Sequence, residues 1–207
     1  MVKSNELIKE LEKMFPNAKC ELNYSNSFEL LIAVVLSAQT TDKRVNIVTK
    51  ELFSVYPDVY HLANANPKDV EKIISSLGLF RTKALNIIAI SKKLLSTFNG
   101  QVPSNLNDLL TLPGVGRKSA NVILSEAFGI PAIAVDTHVF RVANRLGLGN
   151  NDDVYEIEKS LENFFPQALW HHAHTLLVHF GRYFCTAKNP KCRECPFKNN
   201  CYYYHEN

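Results

Sequence analysis

Residues 106–120 read Leu-Asn-Asp-Leu-Leu-Thr-Leu-Pro-Gly-Val-Gly-Arg-Lys-Ser-Ala. A short helix is expected over Leu106–Leu110, following Pro103-Ser104. Pro113 presets φ, and Gly114 and Gly116 permit positive φ and the close approach of another backbone. A second helix is expected from near Val115 to Phe128-Gly129, with Ala120 small enough to let the two helices pack. The pattern is therefore helix, tight hairpin, helix. Backbone N–H groups at such a helix start suit a phosphate. A plain helix–helix turn would use the same Pro-Gly-Val-Gly, so both readings stay open.

The flanking sequence is helical in both directions. Residues 1–15 predict an amphipathic charged helix. Ser27 can cap an apolar run over 28–37, and Asp42 a helix over 43–55 with Val45, Val48, Leu52 and Val55 at helical spacing. Asn66-Pro67 opens a helix to about Ser76. Residues 81–97 place Ala84, Leu85, Ile87, Ile88, Leu94 and Leu95 on one broad face, and Asn99-Gly100 ends that helix. Asp136 can cap a helix over 137–146, Asp152 or Asp153 one over 154–164, and Pro166 opens the last long helix, to about Phe180. The best strand candidate is the short run Ile130–Val135. The chain reads as all-α, about ten helices with short turns, and a domain division is expected through Gly129-Ile130-Pro131.

Of the 207 residues, 46% are apolar and 21% charged, ordinary for a globular protein. A chain of this length buries about 70% of its unfolded surface and needs no disulfide staples. No apolar stretch reaches about 18 residues, so no membrane span is expected. The N-terminal segment lacks the apolar core of a secretory signal and the arginines of a transit peptide. The formal charge is only +3, but it is unevenly distributed. Residues 1–71 carry −2, 72–145 carry +6, 146–162 carry −4 and 163–207 carry +3. Two basic segments thus flank an acidic helix, a distribution that attracts phosphate backbones and also describes solvated lysines on helix faces.

Three local features carry chemistry. Lys118 falls in the first turn of the helix after the hairpin, where the helix dipole and Arg117 both favour the neutral amine that a lysine nucleophile requires. Asp136 is an ordinary N-cap that could also stabilise a developing cation. Four of the five cysteines, Cys185, Cys192, Cys195 and Cys201, form C-x6-C-x2-C-x5-C within the last 23 residues. An odd count in a chain without a signal argues against a disulfide framework. Four soft thiolates can enclose a metal centre and supply this apolar-poor segment with much of its folding energy. The spacing leaves zinc and iron–sulfur open. Cys20 is expected to pack as a small apolar residue.

Taken together, these residues resemble the endonuclease III family of helix-hairpin-helix DNA glycosylase/AP lyases. The matching pieces are Leu30-Leu-Ile32 with Leu36-Ser-Ala-Gln-Thr-Thr-Asp42, Gly78-Leu-Phe80, the hairpin at 112–121, Val135-Asp-Thr-His-Val139, Gly181-Arg182 and the four cysteines, in order along nearly the whole chain. The resemblance implies two helical domains flanking a DNA-binding cleft: a six-helix domain over 21–130, and a discontinuous one over 1–20 plus 131–207 whose cysteines hold a [4Fe-4S] cluster. It implies a monomeric base-excision-repair enzyme acting on double-stranded DNA with damaged pyrimidines or abasic sites, in the cytoplasm of a bacterium or archaeon.

The same resemblance assigns roles. Lys118 attacks the sugar C1′ and forms a Schiff base, and Asp136 stabilises the charge that develops. Gln39 fills the space left by the flipped nucleotide, and Leu79 is the apolar wedge on the other strand. Gly114 and Gly116 grip a phosphate, with Lys191 and Arg193 adding contacts from the cluster loop. The rivals are a mismatch-specific glycosylase, for adenine or for thymine and uracil, and a non-enzymatic iron–sulfur DNA-binding protein. The adenine-specific relative lacks the lysine, carries a glutamate near the position of Val34 and continues beyond the cysteines. A pure binder needs neither Lys118 nor Asp136. The histidines at 171, 172, 174 and 179 form a further candidate metal site, although on such a helix they more often pack.

Overall fold

Every regular element among residues 2–206, which this computed structural model describes, is helical. In chain order these are α1 (Ser4–Met14), α2 (Ser27–Leu36), α3 (Asp42–Val55), α4 (Val59–Ala63), α5 (Pro67–Ile73), α6 (Phe80–Thr97), α7 (Leu106–Leu110) and α8 (Arg117–Phe128). There follow α9 (Thr137–Leu146), α10 (Val154–Phe164), α11 (Trp170–Tyr183) and α12 (Tyr202–Glu206), with 3-10 turns at Gln167–Leu169, Cys192–Glu194 and Lys198–Asn200. The chain divides into two compact units, Glu21–Phe128 and Met1–Cys20 with Gly129–Asn207.

In the unit Glu21–Phe128, α2 is apolar all round and buried from Leu30 to Leu36, as a central helix must be. It packs against α3, α6 and α8. Its cap is Asn26, whose side chain accepts from the Glu29 N–H, and not Ser27, which is already helical. Similarly, Thr41 occupies the N-cap of α3 and Asp42 is its first residue. The helix opened by Asn66-Pro67 stops at Ile73, three residues before the expected end. Val55 and Leu85 are exposed, because each lies at the margin of its helix's apolar stripe. The short α4 lacks the length for a periodic signal and is held by the Asp58 cap and by packing on α6.

In the other unit, α1 contributes Leu7, Ile8 and Leu11 to a core shared with Val139, Val142 and Leu146 of α9, Ile157 and Leu161 of α10, and Leu176, Leu177 and Phe180 of α11. Burying each such side chain stabilises the fold by about 1.5–3 kcal/mol. The N-terminal helix therefore completes the C-terminal half. Gly181 of α11 allows close approach to α9, since a Cβ there would lie 2.8 Å from the His138 Cβ. The run Ile130–Val135 is not a strand. Ala132–Val135 is buried as irregular chain, with no neighbouring strand to pair with among the described residues. No helix among the described residues is long and apolar enough to cross a membrane.

Candidate nucleic-acid interface and thiol centre

The hairpin of residues 111–116 is closed by backbone bonds from Thr111 N–H to the Asp108 carbonyl, Leu112 N–H to Leu109, and Val115 N–H to Leu112, all 3.1 Å. Lys93 of α6 braces it through a 2.7 Å bond from Nζ to the Thr111 carbonyl. Gly114 has φ +75°, and a Cβ there would lie 2.6 Å from the Asn86 side chain, so conformation and space both demand glycine. Gly116 differs from expectation. It has no positive φ, and a Cβ would meet nothing within 4 Å. The fold itself does not require glycine at 116, and its face is open to an incoming group. α8 begins at Arg117, so its first-turn N–H groups have no intrahelical acceptors. Lys118 is exposed on that turn.

Gln39 and Leu79 belong to the same unit and share an uncommon geometry. Both are exposed, and both are non-glycine residues in left-handed backbone, with φ +55° and +57°. Leu79 sits at the N-cap of α6. At 63% exposure it exceeds every other exposed large apolar residue among those described. Left-handed backbone costs a non-glycine residue about 1–2 kcal/mol.

Asp136 lies in the other unit and caps α9. Its Oδ1 accepts from the N–H groups of His138 (2.9 Å) and Val139 (2.8 Å), which leaves Oδ2 outside the cap. The carboxylate is half-buried. Behind it, the Arg141 guanidinium donates to the Gly181 carbonyl (2.6 Å) and the Cys185 carbonyl (3.1 Å), tying α9 to α11 and to the start of the cysteine segment.

Cys185, Cys192, Cys195 and Cys201 all line one small cavity, with Leu146, Phe180 and Phe184 among its apolar walls. Three of the four are buried and Cys192 is half-buried. Burial pushes the Cys195 thiol up to about 11, opposed by the Phe197 backbone hydrogen bond and reinforced by Cys201, Cys185 and Cys192. Burial raises the Cys201 thiol as well. Four thiolates in one small cavity would require a cationic centre among them. Arg145 NH1 donates to Cys185 Sγ at 3.4 Å, and Cys201 Sγ donates to the Arg145 carbonyl at 3.2 Å. The thiols surround a space without converging on a point: no three His, Cys, Asp or Glu side chains among the described residues gather as a single-ion site. Lys191 and Arg193 are exposed and border an open groove with Pro190, Glu194, Tyr203 and Tyr204. Cys20 is half-buried rather than packed as a core residue.

The histidines at 171, 172, 174 and 179 do not gather as a metal site among the described residues. His172 pairs with Glu12 at 2.8 Å, and His179 hydrogen-bonds the Thr175 carbonyl at 3.0 Å between the rings of Phe15 and Tyr183. Sequence reasoning missed Lys83. Its side chain is only 4% exposed, and its Nζ donates to the Ala38 carbonyl (2.7 Å) and Thr40 Oγ1 (3.1 Å). A lysine at the helix edge carries no signal of burial, because the acceptors come from a loop over forty residues away in the chain.

Comparison with known proteins follows this geometry. Residues 32–167 match the model of the HhH-GPD superfamily base excision DNA repair proteins. The endonuclease III of Bacillus subtilis (strain 168) is 49% identical over 189 residues, 91% of this chain and 86% of that protein. That of Rickettsia conorii is 46% identical over 97% of this chain and 95% of its own length. A trapped endonuclease III–DNA covalent intermediate, an estranged-adenine complex, superposes with a TM-score of 0.94 at 46% identity, covering 100% of this chain and 99% of that one. A thermostable thymine-DNA glycosylase shares the fold, with a TM-score of 0.87 at 22% identity.

Proposed function

This chain belongs to the endonuclease III family of the HhH-GPD superfamily of base excision DNA repair proteins, and from that premise we propose how its own residues perform the glycosylase and AP-lyase steps. The chain is a bifunctional DNA glycosylase and AP lyase. Its substrate is duplex DNA carrying an oxidised pyrimidine or an abasic site. A base inside the stack is out of reach, so the nucleotide is flipped out. Gln39 occupies the vacated space, and Leu79 wedges the opposite strand and offsets part of the unstacking cost. The open backbone at Gly114 and Gly116 and the first turn of α8 bind a neighbouring phosphate.

Lys118 then attacks the sugar C1′ as a neutral amine. The C1′–base bond breaks, and the base leaves with the bonding pair. Asp136 stabilises the positive charge that builds on the sugar and then on the lysine. Its free Oδ2 supports this role, because the cap uses only Oδ1. The amine then loses its proton to solvent and the C1′–O4′ bond opens, giving a Schiff base that acidifies the 2′ proton; β-elimination expels the 3′ phosphate and breaks the strand on that side. Free lysine is regenerated by hydrolysis.

Cys185, Cys192, Cys195 and Cys201 hold a [4Fe-4S] cluster. The four thiols line one cavity and do not gather as a single-ion site among the described residues, which supports a multi-iron group that they would hold together. Bound there, the group would offset part of the thiolate charge and supply the loop of Lys191 and Arg193 with much of its folding energy. The protein acts as a monomer in the cytoplasm, close to DNA.

The single observation that carries this reading is the likeness over the full chain to the trapped covalent complex, with a lysine on the first turn after the hairpin. The test is borohydride trapping on duplex DNA containing an abasic site. Wild-type protein forms a covalent adduct and Lys118→Ala forms none. Full trapping by the variant would remove Lys118 from the mechanism. Purified protein should be brown with about four irons per chain.

A further inference from the structure

Lys83 takes no part in the chemistry above, yet its ammonium is buried without a carboxylate partner among the described residues. A methionine would fill the same space without a charge to desolvate, and burial indeed lowers the lysine's affinity for its proton. The position of its acceptors accounts for the cost. The Ala38 carbonyl and Thr40 Oγ1 bracket Gln39 on both sides. Lys83 is also one turn into α6, and its own N–H donates to the Leu79 carbonyl at 3.0 Å. One residue thus holds the backbone beside Gln39 with its side chain and that of Leu79 with its main chain. Gln39 and Leu79 are two of the four non-glycine residues with positive φ among those described, and both are exposed, so their strained backbone needs a neighbour to hold it.

We propose that Lys83 is a positioning residue that lashes the Ala38–Thr40 loop to the start of α6 and so presets Gln39 and Leu79 as one rigid two-pronged probe for opening the duplex. The proposal rests on the reading of Gln39 and Leu79 as the residues that replace and wedge the bases. A rigid probe meets the helix without paying to order its tips, so the gain falls on nucleotide extrusion and not on the covalent step. Thr40 is part of the device: its hydroxyl accepts from Lys83 and also donates to the Ala38 carbonyl at 3.3 Å.

The test compares single-turnover excision of thymine glycol paired with adenine against the same lesion placed opposite a one-nucleotide gap, where no partner base has to be separated. Lys83→Met should lose at least about tenfold on the paired lesion and less than about twofold opposite the gap. Added to Gln39→Ala with Leu79→Ala, it should cost nothing further, because the probe is already gone. Thermal melting checks that the variant is folded. Should it fail to fold, Thr40→Val carries the test, removing one acceptor and giving the same bias at smaller size. Equal loss on both substrates, full additivity with the double variant, or undiminished activity on the paired lesion would each overturn the proposal. A wild-type protein inactive on both substrates would instead overturn the glycosylase reading, and the proposal with it.

Discussion

Asp136 is the N-cap of α9, and the proposed mechanism gives the same carboxylate a role in the chemistry. Its Oδ1 accepts two N–H groups at the start of α9, a cap worth about 0.5–2 kcal/mol. Asparagine caps equally well but carries no charge. Asp136→Asn should therefore melt within about a degree of the wild type and yet excise at least about 100-fold more slowly. Asp136→Ala should lose activity and also melt about 2–4 °C lower per kcal/mol of lost cap. Near-normal excision by the asparagine variant would reduce Asp136 to a cap alone. The cap was legible in the sequence because an aspartate before a helical run has few other local uses. Lys83 was not legible, because its burial depends on a loop that only the folded chain brings to it. Gly114 and Gly116 look alike in the sequence, but only Gly114 meets a neighbour, the Asn86 side chain, that excludes a Cβ.

At the scale of elements, the cysteine segment has little regular structure of its own. Two 3-10 turns, Cys192–Glu194 and Lys198–Asn200, are all that separates its last three thiols. Even so, Cys185, Cys195, Phe197 and Cys201 belong to the same core as α1, α9, α10 and α11. Stripping the proposed cluster would leave Cys195 and Cys201 as thiols whose ionisation burial opposes, and the loop would lose the centre that organises it. The chain's single tryptophan, Trp170, opens α11 in this unit and donates to the Glu162 and Phe165 carbonyls. After removal of the iron, Trp170 emission should shift to the red while most far-ultraviolet helical signal persists, since α2–α8 share no residue with the thiol centre. An unchanged emission spectrum in iron-free protein would mean that the rearrangement stops short of Trp170, at the opposite end of the 14-residue α11 from Cys185. Helices with a strong periodic stripe or a good cap, such as α7, α9 and α10, start and stop where the sequence places them. The short α4 and α12 escape because five residues give no period to read, and no Pro-Gly hairpin follows them as one follows the equally short α7.

For the whole molecule, charge is a matter of distribution. A net charge of +3 says little, but residues 72–145 carry +6 and the cysteine loop presents Lys191 and Arg193. Binding to abasic duplex should weaken with salt, with a slope of about −0.9 in log K per phosphate contacted. Lys191→Ala with Arg193→Ala should make that slope shallower by about two and leave the lesion preference unchanged. An unaltered slope would place the loop away from the phosphates. The sequence alone determined the helical class, most helix starts, the hairpin, the nucleophile candidate and the set of four thiols, because each is written in local spacing and capping chemistry. Tertiary structure alone decided which side chains of the first helix, Leu7, Ile8 and Leu11, enter the C-terminal core and that the four thiols line one cavity. It also decided that a buried lysine binds the loop of Gln39 to the helix of Leu79. Those features depend on residues far apart in the chain meeting at a few ångströms, and no local pattern records such a meeting.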